Sequence, residues 1–285
     1  MTKERGLDLI SDFGTRKLGH LPHLVWKLAT HRNIGRQRRK FIRKNFARRF
    51  PGPYDVKVEG ILMRAYPLEN YDDRTAVGRG NLPEVPERGL IKPLLKPGMV
   101  FVDIGANVGS YSLFVASQCR DEATILAFEP HPRTFSKLTF NVRANGFSSI
   151  ETINQAVGPQ KARMRLYSSG GTNIGTASIL PEAATDHQFV DVKVAPLAEA
   201  LKARMLERID LLKIDIEGFE DRALLPLLVD RHKACWPRAI LIETVLRNLW
   251  EDDCVARLKD LGYRIAANTG ENLLMLHPMT EKLES

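Results

Sequence analysis

The apolar run Val100-Phe101-Val102 passes through Asp103-Ile104 into the turn Gly105-Ala106-Asn107-Val108-Gly109 and then into Tyr111-Ser112-Leu113-Phe114-Val115-Ala116. That order spells a buried strand, a tight glycine-bearing turn and the start of a helix, which together form a cradle for a small molecule. A dinucleotide-binding unit places an acid on a ribose hydroxyl roughly 20 residues beyond such a turn. Here the run Thr124-Ile125-Leu126-Ala127-Phe128 ends in Glu129-Pro130. The pattern predicts a nucleoside ligand.

The glycines decide which nucleoside. In the dinucleotide fingerprint the second glycine lets backbone approach a pyrophosphate and the third lets the helix pack closely. Asn107 and Ser110 occupy those positions, and Asp103 at the mouth of the loop would repel a pyrophosphate. A carboxylate there suits an ammonium group or orients the loop. S-adenosylmethionine carries an ammonium, a sulfonium and an adenosine ribose without phosphate, and is the expected cofactor. An ordinary strand, turn and helix explains the glycines but leaves Glu129 unexplained.

From residue 98 the elements alternate. Strands are predicted over 99–104, 123–129, 149–157, 209–216 and 239–244, with helices near 110–118, 132–145, 196–206, 219–229 and 248–261. An inserted hairpin is expected at 162–167 and 189–194, and a final strand pair at 263–267 and 273–277. This rhythm predicts an α/β fold with a mostly parallel seven-stranded sheet and helices on both faces, Rossmann-like in kind. Residues 98–285 form the expected catalytic domain, 51–97 a small Pro- and Gly-rich hairpin cap or linker, and 1–50 a basic helical leader. With 44% hydrophobic and 27% charged residues the chain has the composition of a soluble globular protein.

The net charge of +8 is uneven. The first fifty residues hold fourteen lysines and arginines against three acids, so the remaining 235 carry a net −3. Arg36 to Arg49 is the densest part, with Ile42, Phe46 and Phe50 at helical spacing. Such a helix either lies on an anionic membrane or nucleic acid, or docks its apolar stripe on its own domain. The three cysteines, Cys119, Cys235 and Cys254, are widely spaced and suggest reduced thiols. The chain has no apolar run of membrane-spanning length and no secretory pattern at its start, so a cytoplasmic location is expected, with peripheral contact to the inner membrane face through the leader as the further possibility.

Ligands of open parallel sheets bind outside the carboxyl ends of the strands. Those ends carry Asp103, Glu129, Asn154-Gln155-Ala156, Asp215-Ile216-Glu217-Gly218 and Glu243-Thr244. Buried carboxylates are unfavourable unless paired or hydrogen-bonded, so their clustering points to a cation-binding or proton-handling crevice. Period-two geometry puts Lys213, Asp215 and Glu217 on one face of the fourth strand, against Leu212, Ile214 and Ile216 on the other. Lys213 and Asp215 read either as a structural ion pair or as part of the chemistry.

The segments Phe101 to Tyr111, Ala127 to Pro132, Asn141 to Asn145, Ala156 to Gly158 and Leu212 to Glu220 together resemble the FkbM-type methyltransferases, over about Met63 to Thr244. Those are class I S-adenosylmethionine-dependent enzymes that often methylate hydroxyls of sugars or polyketide-like molecules. The resemblance implies that Asp103, Gly105, Asn107, Gly109 and Tyr111 surround the methionine part, that Glu129 holds the ribose, and that Gln155 and Ala156 lie near adenine. It implies that Lys213 to Gly218 faces the methyl group. The expected acceptor is a small-molecule or glycan hydroxyl, methylated by in-line displacement with Asp215, Glu217 or Glu243 as base.

The polar stretch Ser168 to Ser178 suits a sugar, with Asn173 and Ser178 as expected acceptor contacts, or is a surface linker. A divalent cation is an open expectation: Asp215, Glu217, Glu220, Asp221 and Glu243 offer hard oxygens, but none has a recognised metal spacing. Two rival readings are an RNA methyltransferase, prompted by the basic leader, and a non-enzymatic membrane scaffold. Neither a Pro-Cys nucleophile nor an Asn/Asp-Pro-Pro-aromatic motif is present, and the catalytic domain is not basic, so nucleic acid is not the expected partner.

Overall fold

The computed structural model describes residues 6–168, 174–184, 188–229 and 235–278. The leader forms two helices, α1 (His20–Thr30) and α2 (Arg36–Asn45). α1 buries Trp26, Ala29 and Thr30, whereas no residue of the highly charged α2 is fully buried. The predicted basic helix ends earlier than its charge pattern suggested, because Ala47–Arg49 tightens into one 3-10 turn. Of its apolar stripe, Ile42 and Phe50 pack on a small core of Trp26, Ala29, Ala47, Tyr54, Ala65 and Val77, while Phe46 stays 48% exposed. The Trp26 indole N–H donates to the Phe50 carbonyl at 2.9 Å, which ties α1 to the end of the leader.

The predicted hairpin is present as β1 (Tyr54–Val58) and β2 (Ile61–Ala65), antiparallel from Tyr54 opposite Ala65 to Val58 opposite Ile61. Glu59 and Gly60 both have positive φ, as a two-residue hairpin turn of the favoured twist requires. Residues 51–97 hold more than a hairpin, however, because α3 (Tyr71–Arg79) and α4 (Val85–Ile91) follow. The Asn70 side chain caps α3 by accepting from the Asp72 N–H, acids fill its first turn, and Gly80 closes it in the left-handed region. Pro86 sits in the first turn of α4, where its missing N–H does no harm. Gly80 and Pro86, part of the composition that resembled a linker, are helix punctuation.

Next come β3 (Val100–Ile104), α5 (Ser110–Gln118), β4 (Thr124–Phe128), α6 (Pro132–Asn145) and β5 (Ile150–Ile153). The predicted strand 149–157 breaks at Asn154-Gln155, and β6 (Ala156–Val157) joins β7 (Ala162–Tyr167) and β8 (Phe189–Ala195) in a separate three-stranded sheet. β7 and β8 pair antiparallel from Ala162 opposite Val194 to Tyr167 opposite Phe189, the expected inserted hairpin. Then follow α7 (Leu197–Ala203), β9 (Ile209–Ile214), α8 (Glu220–Val229), β10 (Pro237–Glu243), α9 (Cys254–Asp260), β11 (Arg264–Asn268) and β12 (Asn272–Leu276). The helix predicted over 248–261 begins late, since the Asp253 carboxylate accepts from the Val255 and Ala256 N–H groups and starts α9 there.

The main sheet has seven strands in the order β11-β12-β10-β9-β3-β4-β5, with β12 antiparallel to both neighbours and every other pairing parallel. Alternation divides each inner strand between two cores. Val102, Ile104, Leu126, Phe128, Leu212 and Ile214 face one side with residues of α7, α8 and α9. Phe101, Ile125, Ala127 and Leu211 face the other with residues of α5, β2 and α3. A mostly parallel sheet covered on both faces by helices is the fold class the sequence predicted. From β3 the chain builds outward through β4 and β5, then returns to the opposite side with β9. The strand order therefore switches between β3 and β9, where a crevice opens at the carboxyl edge. Among the described residues no helix is long and apolar enough to cross a membrane.

Candidate functional site

The cleft lies at that switch. Its base is the turn after β3, where Gly105, Asn107 and Gly109 all have positive φ. A Cβ on Gly105 would overlap the Asp215 carbonyl oxygen, so glycine is required there. The Gly105 and Ala106 N–H groups donate to the Phe128 carbonyl at 3.0 and 2.9 Å. The Asn107 N–H donates to Glu129 Oε2 at 2.9 Å and the His131 N–H to Glu129 Oε1 at 2.8 Å. One carboxylate thus ties the turn after β3 to the turn after β4.

Five carboxylates border the cleft, Asp72, Glu84, Glu129, Asp215 and Glu217, beside one cation, Lys213. The Lys213 Nζ donates to the Gly105 carbonyl at 2.9 Å and lies 3.5 Å from Asp215 Oδ2 and 3.8 Å from Asp103 Oδ1. Burial works against its ammonium, but Asp215, Asp103, Glu84 and Asp72 outweigh burial and raise its pKa. The carboxyls are raised as well, which for them favours the uncharged form. Burial, then the Asp215 and Glu220 charges, push Glu217 up to about 8. Burial lifts Glu129 to about 7 against the two backbone donors, and lifts Asp72 to about 6 against the Ser110 hydroxyl that donates to it at 2.7 Å. Glu84 is raised by burial and then by Asp215, and accepts from the Tyr111 hydroxyl at 2.6 Å. The cleft is short of positive charge.

Of the residues expected from the sequence, Gly105, Asn107, Tyr111, Glu129, Gln155, Ala156, Lys213, Asp215 and Glu217 border this one cleft. Gly109 starts α5 behind it, and a Cβ there would press on Leu138. Asp103 does not border the cleft. It is fully buried and accepts from the Ser112 hydroxyl at 2.6 Å, so it braces Lys213 and α5 from beneath. Glu243 also stands back from the cleft, one oxygen buried without a hydrogen-bond partner. Burial, then Asp215 and Glu217, drive its carboxyl upward. Ser178 is buried, and its hydroxyl donates to the Glu217 carbonyl at 2.8 Å while accepting from the Leu180 N–H at 3.1 Å. Asn173 lies outside the described residues, although Gly175 and Ala177 from the same polar stretch border the cleft.

Asp72, Glu84 and Ser110 were not anticipated. Asp72 and Glu84 come from the first turn of α3 and the N-cap of α4, sequence that shows no motif, and the Asn70 cap was the available signal. Asn70 also donates to Asn107 Oδ1 at 2.6 Å, joining α3 to the turn. Backbone strain marks the same place: Glu84, Asn107 and Glu217 have φ near +50° and border the cleft. No group of three or more His, Cys, Asp or Glu residues arranged to hold a metal is found among the described residues.

Comparison with known proteins shows the family. The model of the Methyltransferase FkbM domain family matches residues 103–265, more than half of the chain. The chain is 30% identical over 212 residues to Methyltransferase sdnD of Sordaria araneosa, covering 60% of this chain and 75% of that protein. It is 28% identical over 204 residues to 31-O-demethyl-FK506 methyltransferase FkbM of Streptomyces tacrolimicus, covering 61% and 75%. Among solved structures it is similar to the precorrin-6y C5,15-methyltransferase of Geobacter metallireducens GS-15, at 15% identity and a TM-score of 0.41 over 68% of this chain and 88% of that one. With the family model matched over more than half of its length, the chain is a methyltransferase and belongs to the FkbM methyltransferase family.

Proposed function

We propose that the cleft transfers a methyl group from S-adenosylmethionine to a hydroxyl oxygen of a small molecule, a sugar or glycolipid being the class that fits best. The observation that carries this reading is the charge of the cleft, five carboxylates against one lysine. Such a lining suits a ligand bearing an ammonium and a sulfonium, and opposes a pyrophosphate. The donor supplies an electrophilic methyl whose C–S bond breaks as the C–O bond forms. Glu129 suits a ribose diol, because each oxygen already fixed by a backbone N–H keeps a free lone pair. Gln155 and Ala156, at the break between β5 and β6, would flank the base.

The hydroxyl proton needs an acceptor. Glu217 is the best placed of the three candidates: it borders the cleft, and a carboxyl at about 8 is poised near neutral pH. Asp215 is paired with Lys213, and Glu243 stands back from the cleft. The name of the Streptomyces tacrolimicus relative describes methylation at an oxygen, which supports the hydroxyl as acceptor. The test is transfer of labelled methyl onto glycan, glycolipid and RNA fractions. Label in the hydroxyl-bearing fractions, cut about 10²- to 10⁴-fold by Glu217→Gln at unchanged donor affinity, supports the reading. Label in RNA alone, or wild-type rates for Glu217→Gln, overturns it.

A further inference from the structure

A second cavity opens between α2 and the chain leading into α3, bordered by Trp26, Lys40, Arg43, Lys44, Arg48 and Arg74, with Pro67 and Leu68 completing its wall. Five cations meet there and no carboxylate does. Arg74 is 8% exposed, and burial followed by the neighbouring Arg43 charge pushes its guanidinium down to about 10. Arg43 is itself lowered by burial and then by Arg39 and Arg36. Between His20 and Phe50 the sequence holds ten lysines and arginines and no acid, and none of the ten forms an ion pair with a described residue. Like charges gathered in a partly dry cavity repel one another until an anion enters. Arginine forks match the oxygens of a phosphate.

Exposed apolar side chains of the same leader show what kind of phosphate fits. Leu21, Leu24 and Leu28 are 60, 55 and 42% exposed, and their spacing of three and four lines them along one side of α1. Phe41 and Phe46, 60 and 48% exposed, meet edge to face with centroids 6.1 Å apart. A free phosphate would satisfy the cations and leave five large apolar side chains in water. A bilayer surface satisfies both, since interfacial helices combine an apolar stripe with lysine and arginine.

We propose that this cavity receives the phosphate of an anionic phospholipid headgroup, and that the leader docks the protein on an anionic membrane with Leu21, Leu24, Leu28, Phe41 and Phe46 at the acyl boundary. Docking stands independently of methyl transfer. It sits one helix from the cleft, because α1 packs on α3 where a Cβ at Gly78 would overlap Thr30, and the first turn of α3 carries Asp72.

The test is flotation of the full chain with vesicles of phosphatidylcholine alone and of phosphatidylcholine with phosphatidylglycerol. Binding is expected to the anionic vesicles only. The exposed pair Lys44→Glu with Arg48→Glu should weaken it about tenfold or more, and Leu24→Ser with Leu28→Ser should do the same. Unchanged melting temperature and donor affinity in these variants exclude misfolding. Three results overturn the proposal: no flotation with either vesicle; flotation indifferent to the leucine changes together with saturable binding of inorganic phosphate; or salt-sensitive RNA binding without flotation.

Discussion

The cleft and the leader both concentrate charge of one sign, but they hold it in opposite ways. In the cleft, carboxylates converge on Lys213, which also donates to the Gly105 carbonyl and lies over the Tyr111 ring at 5.4 Å. Between His20 and Phe50 the cations have no acid among them, and the helix that carries most of them buries nothing fully. Buried charge must be organised by partners within the chain, whereas exposed charge is free to wait for a partner outside it. The cleft is thus built around one internal cation and still lacks positive charge; the leader is anchored by Trp26 and leaves most of its charges exposed.

The comparison is tested most severely at Lys213. Lys213→Met removes the cation that faces Asp103 and Asp215, and urea unfolding should show a loss of about 3–5 kcal/mol, as for other broken buried pairs. A loss below about 1 kcal/mol would mean that the cleft does not depend on its internal cation. Gly105→Ala comes next. Positive φ and the crowding by the Asp215 carbonyl should lower stability by about 1–3 kcal/mol and abolish donor binding in calorimetry.

The pH dependence is a smaller effect with a definite sign. Glu129 and Glu217 titrate at about 7 and about 8 in the folded protein, above their ordinary value of 4.5. The folded state therefore binds extra protons between those values, and the stability this brings is complete at low pH and lost as pH rises through about 7 to 8. A cationic donor favours the ionised carboxylates, so its affinity should rise several-fold from about pH 6 to about pH 8 with release of protons. Calorimetry in two buffers of different ionisation enthalpy checks this, and proton uptake would contradict it. The smallest effect belongs to the leader: Lys44→Glu with Arg48→Glu should change neither unfolding free energy nor donor affinity by more than about 0.5 kcal/mol.

Local geometry was legible in the sequence where one residue type has few conformations. Gly105 and Gly109 announced the turn, and the alternation of Val102, Ile104, Leu126 and Phe128 announced buried strands. Contributions from a distance were not legible. Asp72 and Glu84 enter the cleft from helices whose only signals are caps, and nothing in their spacing ties them to a turn more than twenty residues away. The strand alternation that placed Lys213 and Asp215 together stops at Ile214, and Glu217 reaches the cleft through a left-handed backbone position instead. Asp103 misses the cleft although its register partner Lys213 borders it, because Ser112 of α5 holds the Asp103 carboxylate in the interior beneath that lysine.

The most direct measurement is a calorimetric titration of the full chain with S-adenosylmethionine and, separately, with a dinucleotide carrying a pyrophosphate. The account predicts saturable binding of the first, weakened about tenfold or more by Glu129→Ala, and no binding of the second. Equal binding of both ligands, or an unchanged affinity in the Glu129 variant, would contradict it.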